Sequence, residues 1–399
     1  MMKQMEIQKR SGLLGLLVGM SAVAAIVALL LLVPSSPMLS TESPVQLFCI
    51  VNPAELAQVA AGELDPEWDV IGMPVTVYAA FIAGSFALAM GSSALLGWLR
   101  ERKAMRGAVL ALVCGVCAFI CSRLVYCLAQ WGAIVNDMSG DAGIDETTSF
   151  GMMLGGWLRF LVQPWRGGYT MYGAIFGMLL GVVAMALPAR RSIGETADQV
   201  VPGMLLMVAA GRAAEHFTAQ GMSRWSVSDA LNMLPFYSET DYALAVYAYE
   251  ALAAAAALIV CVVLLCLRAP RGRVAETGLA IVSILQIMLD AWREDELIRF
   301  GFVRLNMILA AVVLVALLVL RIVRMIRNSG GVGTIVWSVA RCVLFLCSVA
   351  AVIIVEFGID GKFGITASYG VLYAIQAAAI VVMCAAMLIG DGLGKKQAC

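Results

Sequence analysis

The 399-residue chain is 62% hydrophobic and only 14% charged, with 27 basic residues against 27 acidic ones. A soluble domain is nearer half apolar and about a quarter charged, so an ordinary soluble globular protein is excluded, and no nucleic-acid partner is expected from a chain with no basic excess. A single histidine rules out a site needing several imidazoles, and eleven cysteines scattered mostly through apolar runs argue for packing in a bilayer rather than a disulfide framework.

In chain order, the first apolar run, 12–33, follows a basic start at Lys3, Lys9 and Arg10. It has about the length that spans a bilayer, longer than a signal-peptide core, and no obvious small-x-small cleavage site ends it, so the sequence predicts a retained anchor helix. Further apolar runs occupy 73–98, 105–129, 170–187, 198–213, 242–267, 276–292, 302–320, 335–357 and 368–390, of which 198–213 and 276–292 are short and carry polar residues. The expectation is an all-α fold, a polytopic transmembrane helical bundle of about ten spans. Between the third and fourth runs, Gly151–Arg166 carries Trp157, Phe160, Trp165 and two arginines. That composition fits either a helix lying along the outer interface or a loop anchored by aromatic residues.

Orientation follows from basic residues in short loops. With the N-terminus inside, the inner side receives Lys3, Lys9, Arg10, then Arg100, Arg102, Lys103 and Arg106, then Arg190 and Arg191, then Arg268, Arg271 and Arg273, then Arg321, Arg324 and Arg327, and finally Lys395 and Lys396. The outer loops carry Asp65, Glu67, Asp69, Asp137, Asp141, Asp145, Glu146, Asp229, Glu239 and Asp241 instead. Both termini are therefore expected to be cytoplasmic.

Ionisable groups inside spans are costly and so are functional candidates. Placed by depth, Tyr78, Arg123, Tyr172, Arg212 with Glu215 and His216, Tyr249 with Glu250, and Gln286 with Asp290 and Arg293 all fall toward the outer leaflet, while the inner halves of these spans read as apolar. Gln286, Asp290 and Arg293 share one helix face by their i, i+4, i+7 spacing. Two readings stay open. One is an interhelical polar clasp, with pairs such as Arg212–Glu215, Asp290–Arg293 and Arg123–Glu250. The other is an anion site, because three arginines (Arg123, Arg212 and Arg293) converge where at most three acids reach them, and arginine grips phosphate bidentately. A phospholipid headgroup is the natural anion at that level. The stripe Cys114, Cys117 and Cys121 has no histidine or carboxylate companion and reads as packing, with no metal site expected.

The order of motifs resembles the prolipoprotein diacylglyceryl transferase family over residues 68–326. Ile71–Tyr78 (IGMPVTVY) is similar to its Gly-Pro-aliphatic-Tyr segment, and Ile120–Tyr126 (ICSRLVY) to its Ala-Arg-Leu-Tyr-Tyr helix. Gly167–Gly181 resembles the glycine-rich span beginning with His-Gly-Gly, and Asp198–Phe217 the Asp…Ala-Pro…Gly-Arg-x-Gly-Asn-Phe signature. Tyr249–Glu250 matches a Leu-Tyr-Glu step, and Asp290–Glu296 (DAWREDE) a Glu-Phe-x-Arg-x-Pro-Asp step. The resemblance divides the chain into an anchor helix and outer loop (1–67), a seven-span core (68–327) and two additional spans (328–399), where Arg341 and Glu356 are expected to snorkel near span ends.

What the resemblance implies is transfer of diacylglycerol from phosphatidylglycerol to the lipobox cysteine thiol of a prolipoprotein signal peptide, with glycerol phosphate released, in the bacterial plasma (inner) membrane. No metal or organic cofactor is implied. Tyr172, Arg212, Glu215 and His216 become catalytic candidates, and Tyr78, Arg123, Tyr249, Glu250, Gln286 and Arg293 substrate-binding ones. The chain departs from the family at several of these positions. Tyr172 stands where the family has its histidine, Glu215 where it has an asparagine, Gln220 where it has an acid, and Gln286 where it has an arginine. His216 is a candidate to take over proton transfer. A non-catalytic phospholipid-binding protein on the same scaffold is the alternative, and a small-solute transporter is disfavoured because the polar groups gather at one face rather than at the midplane.

Overall fold

The computed structural model describes residues 46–50, 73–138, 150–162, 168–218, 220–223, 232–238, 242–294, 299–300, 303–329, 332–359 and 368–388. The predicted anchor at 12–33 lies outside them, as does most of the first outer loop. Within them the chain folds into α1 (Val77–Glu101), α2 (Ala104–Ala129), α3 (Trp131–Met138), α4 (Phe150–Leu161), α5 (Met171–Ala186), α6 (Ile193–Ala214), α7 (Val246–Cys266), α8 (Arg273–Trp292), α9 (Leu305–Ser329), α10 (Val332–Ile359) and α11 (Tyr369–Leu388). Each of the nine remaining apolar runs overlaps one of these helices. Among the described residues, 7 are long and apolar enough to cross a membrane. The exceptions are α5, which at 16 residues rises only about 24 Å against a hydrocarbon core of about 30 Å, and α6, which is long enough but carries Glu195, Asp198 and Arg212. The all-α, multi-pass architecture expected from composition is the one observed.

Three two-stranded antiparallel ladders are additions that periodicity did not reveal: β1 (Gln46–Ile50) with β2 (Met73–Thr76), β3 (Tyr237–Ser238) with β4 (Ala243–Leu244), and β5 (Arg299–Phe300) with β6 (Val303–Arg304). The run expected to be a span from residue 73 thus starts as a strand, and the helix begins at Val77. Backbone groups outside a helix need partners, and a short ladder supplies them beside the helix ends.

Helix α8 is the hub. It packs on α6, α7, α9 and α11, and nearly all of its residues are buried. Helix α2 lies closest to α5, where a β-carbon at Gly177 would come within 2.2 Å of the Cys117 carbonyl and one at Gly181 within 2.7 Å of the Cys114 Cα. Glycines four apart let the two backbones touch, as small-residue stripes do between membrane helices. The cysteine stripe therefore packs against glycine.

The two C-terminal helices pair with each other, and α11 also rests on α8. Here one expectation is corrected. Arg341 and Glu356 do not snorkel: they are 1% and 7% exposed, and Gln376 of α11 donates to Glu356 of α10 at 2.8 Å. A polar face turned toward a neighbouring helix avoids lipid more completely than a long side chain reaching for an interface.

The basic turns assemble at one end of the bundle. Arg191 and Glu101 join the α5–α6 turn to the end of α1, with Nη2 and Oε2 2.6 Å apart. Arg271 reaches Glu195 at 3.3 Å and Arg324 reaches Glu276 at 2.6 Å. This end is more polar inside than expected. Asp198 is buried and accepts from the backbone N–H groups of Gly272 and Ala275 at 2.7 and 2.8 Å, capping the start of α8. The first N–H groups of a helix lack intrahelical partners, and a carboxylate satisfies them wherever water does not reach. The sequence-based expectation of ten spans with both termini cytoplasmic predicts that reporter fusions after Lys103 and Arg191 read as cytoplasmic and one near Asp141 as exported. A cytoplasmic readout at Asp141 would overturn the map from the third span onward.

Candidate active site

At the opposite end of the bundle, α6, α7 and α8 deliver four charged side chains to one point. Arg212 closes α6, and its Nη1 meets Glu215 Oε1 at 2.5 Å in the single 3-10 turn that follows, Glu215–Phe217. Its Nε lies 3.3 Å from Glu250 Oε2 on α7. Arg293, at the C-cap of α8, places Nη2 3.0 Å from Glu215 Oε2 and pairs through Nη1 with the same Glu250 oxygen. Two guanidiniums and two carboxylates thus alternate in a closed ring. The side chains of Glu250 and Arg293 are 1% and 3% exposed, those of Glu215 and Arg212 8% and 12%.

The remaining oxygen of Glu250 accepts from Gln286 Nε2 at 2.5 Å, and the same amide lies 3.4 Å from Asp290 Oδ1. Arg304, which ends β6 just before α9, is 1% exposed and donates to the carbonyl of Arg293. Tyr78, near the start of α1, has Glu215, Arg212 and Arg293 as charged neighbours. Tyr172 of α5 is completely buried beside Ser283 of α8, with Asp290, Arg212 and Glu250 nearby. The segment 220–223 covers the ring: Gly221 accepts from the Tyr247 N–H, Met222 from the Glu294 N–H, and Ser223 bridges the backbone of Arg293.

The structure brings Tyr78, Tyr172, Arg212, Glu215, Glu250, Gln286 and Arg293 together, and leaves three expected members, Arg123, Tyr249 and His216, outside that group. Arg123 is buried, but its guanidinium donates to the carbonyls of Phe160 (2.7 Å) and Gly168 (3.2 Å) and stacks over the ring of Phe160. It ties α2 to the end of α4 and to the entrance of α5, and it does not meet Glu250. Tyr249 shares its turn with Glu250 but points elsewhere, donating to the carbonyl of Pro235 and packing edge-on against Phe236 and Trp292. His216 touches Tyr247, with Nδ1 and the hydroxyl 2.7 Å apart, and Phe217. Burial pulls its imidazole below the ordinary histidine range, so it is neutral near pH 7.

The surplus of arginine is corrected as well. With Arg123 elsewhere, Arg212 and Arg293 face Glu215 and Glu250 one for one. Of the three expected clasp pairs, Arg212–Glu215 forms, Arg123–Glu250 does not, and Asp290 turns its Oδ1 toward Gln286. Arg304 and Ser223 were overlooked. The signal for Arg304 was its position at the start of the run 302–320, at the end of the bundle that also holds Arg212 and Arg293.

Gly151–Arg166 supplies the helix α4. Its Trp157 donates to the Cys127 carbonyl at 2.7 Å, while Phe150, Met152 and Leu158 are exposed. Its last residues, 163–166, lie outside the described ones.

Comparison with known proteins places this architecture. The family described as prolipoprotein diacylglyceryl transferase matches the chain over residues 68–323. A phosphatidylglycerol–prolipoprotein diacylglyceryl transferase of Bacillus velezensis is 22% identical over 260 residues, covering 61% of this chain and 88% of that protein. One from Acaryochloris marina is 27% identical over 143 residues, 36% of this chain and 45% of that protein. A transferase 2 of the same description from Clostridium perfringens is 24% identical over 112 residues, 28% of this chain and 35% of that protein.

Proposed function

For this chain, which belongs to the prolipoprotein diacylglyceryl transferase family, we propose transfer of a diacylglyceryl group from phosphatidylglycerol to the lipobox cysteine of a prolipoprotein in a bacterial plasma membrane. The observation that carries the reading is the pair Arg212 and Arg293, the first mostly and the second fully buried, at the end of the bundle away from the basic turns and within the stretch matched to the family. In the reaction the cysteine sulfur forms a bond to the glyceryl carbon, the bond from that carbon to the phosphate oxygen breaks, and glycerol phosphate leaves with the electron pair. The thiol proton passes to a base. Charge grows on the departing phosphate, and guanidiniums already in place stabilise it without reorganisation. Arg212 and Arg293 are assigned that role, with Glu250 holding both, Gln286 holding Glu250, and Tyr78 beside the headgroup. For the proton, His216 is neutral, and the tautomer that donates from Nδ1 to Tyr247 leaves Nε2 as an acceptor. Arg123 and Tyr249 are assigned to positioning the surrounding elements. The core is taken as 68–327, with the anchor before it and the helix pair α10–α11 after it.

A specific observation favours the second reading, phospholipid binding without turnover. Both arginines are already neutralised by carboxylates, and the positions resembling the family's histidine and one of its arginines hold Tyr172 and Gln286. The experiment that separates the two uses the purified full-length chain, phosphatidylglycerol and a lipobox peptide. A diacylglyceryl mass gain on the peptide, with glycerol phosphate released and no gain on a peptide whose cysteine is serine, supports the transferase. Phosphatidylglycerol binding with no mass gain supports the binding protein.

A further inference from the structure

We propose that Glu215 is a built-in counter-anion, occupying the place of a phosphate between Arg212 and Arg293 and leaving it when a phosphate-bearing ligand enters. The inference rests on the reading of those arginines as a phosphate site.

Three observations carry it. First, the geometry is that of a bridging anion. One carboxylate oxygen of Glu215 lies 2.5 Å from Arg212 Nη1 and the other 3.0 Å from Arg293 Nη2. A phosphate that grips both guanidiniums needs these same N–H groups. Second, the two carboxylates of the ring are not equivalent. Glu250 is 1% exposed, sits within the long helix α7 and gives its second oxygen to Gln286, so it is held from two sides. Glu215 is 8% exposed and belongs to a one-turn element of three residues past the end of α6. Its Oε2 lies 2.7 Å from where a β-carbon of Gly221 would stand, so the carboxylate rests on bare backbone rather than on a packed side chain. Third, the four-membered ring is neutral as it stands, and beside it Asp290 and Arg304 add one buried acid and one buried base. Adding an anion without removing a carboxylate would leave an uncompensated negative charge in a water-poor place, whereas exchanging Glu215 for phosphate conserves the balance. Glu250 then orients the two arginines, and Glu215 is the member that exchanges. The exchange lowers the apparent affinity for phosphate and makes Glu215 a determinant of how strongly the site holds its lipid.

The test measures binding of dioctanoyl phosphatidylglycerol and, separately, of glycerol phosphate to the full-length protein in detergent. The variants are Glu215→Gln and Glu215→Asn, with Arg212→Ala and the distant Glu101→Gln for comparison. Removing the internal competitor is expected to tighten binding about tenfold or more, the scale of one charge-assisted contact, while Glu101→Gln leaves it unchanged. Tightening toward the lipid assigns the exchange to substrate entry, and tightening toward glycerol phosphate alone assigns it to the leaving product. Both outcomes support the proposal. Each variant is also melted with and without ligand. A Glu215 variant that is less stable alone but gains more in melting temperature from the ligand than wild type supports the exchange even where purification is poor. Unchanged or weaker binding in both folded Glu215 variants, with Arg212→Ala weakened, overturns the exchange and leaves the phosphate site standing. Unchanged binding in Arg212→Ala overturns the phosphate site itself.

Discussion

Turnover rises by about 100-fold or more when Tyr172→His and Gln286→Arg are combined, the size of effect that a positioned acid–base group or a transition-state cation typically supplies. Tyr172 is wholly buried beside Ser283, with Asp290, Arg212 and Glu250 around it. A phenol has a reference pKa near 10 and ionises reluctantly without water, so it is a poor acceptor for a thiol proton where an imidazole would be a good one. Gln286 now gives its amide to Glu250 and Asp290. An arginine in its place keeps both contacts, adds a third guanidinium to the ring and turns its balance from neutral to positive, which favours a phosphate and the charge growing on it. The check is growth of a bacterial strain depleted of its own transferase, with peptide lipidation measured in parallel. Full rescue by the unmodified chain would mean that His216 or Glu215 already compensates for both departures. Failure of both forms, with phosphatidylglycerol still bound, transfers the weight to the non-catalytic reading.

The second large effect belongs to Arg212. Arg212→Ala is expected to weaken phosphatidylglycerol binding roughly ten- to a hundredfold, from about 1.5–3 kcal/mol lost with one charge-assisted contact. The alanine variant also strands part of Glu215, so a loss of binding alone does not separate ligand contact from a collapsed ring. Arg212→Lys separates them. It keeps the positive charge near Glu215 and Glu250 but cannot grip a phosphate with two parallel N–H groups. Partial recovery of stability with little recovery of binding is the expected pattern. Binding that stays at the wild-type level in a folded Arg212→Ala protein would instead favour the purely structural clasp.

Much of this molecule was legible along its length. The positions of α1, α2 and α5–α11 follow from runs of apolar residues, because in lipid a chain must satisfy its backbone within the segment, and a helix is the economical way to do it. The common level of Arg212, Glu250, Gln286 and Arg293 along the bundle was legible for the same reason. A helix advances about 1.5 Å per residue, so position in a span is height along the bundle. The short ladders were not legible, since strands of two to five residues leave too little pattern.

The amino-acid sequence by itself determined that the protein lives in a membrane, where its helices run, to which family it is similar, and at which level its polar residues gather. Only the tertiary structure decided which of those residues meet. Arg123 and Tyr249 stand at the level of the ring yet serve the carbonyls of Phe160, Gly168 and Pro235, while Arg304 and the backbone of Ser223 join from segments that looked ordinary. Height is a one-dimensional property that the chain carries locally. Whether two side chains touch depends on how each helix is rotated about its axis, and that rotation is set by contacts between distant segments, such as the glycines of α5 against the backbone of α2 and the burial of α8 among four neighbours.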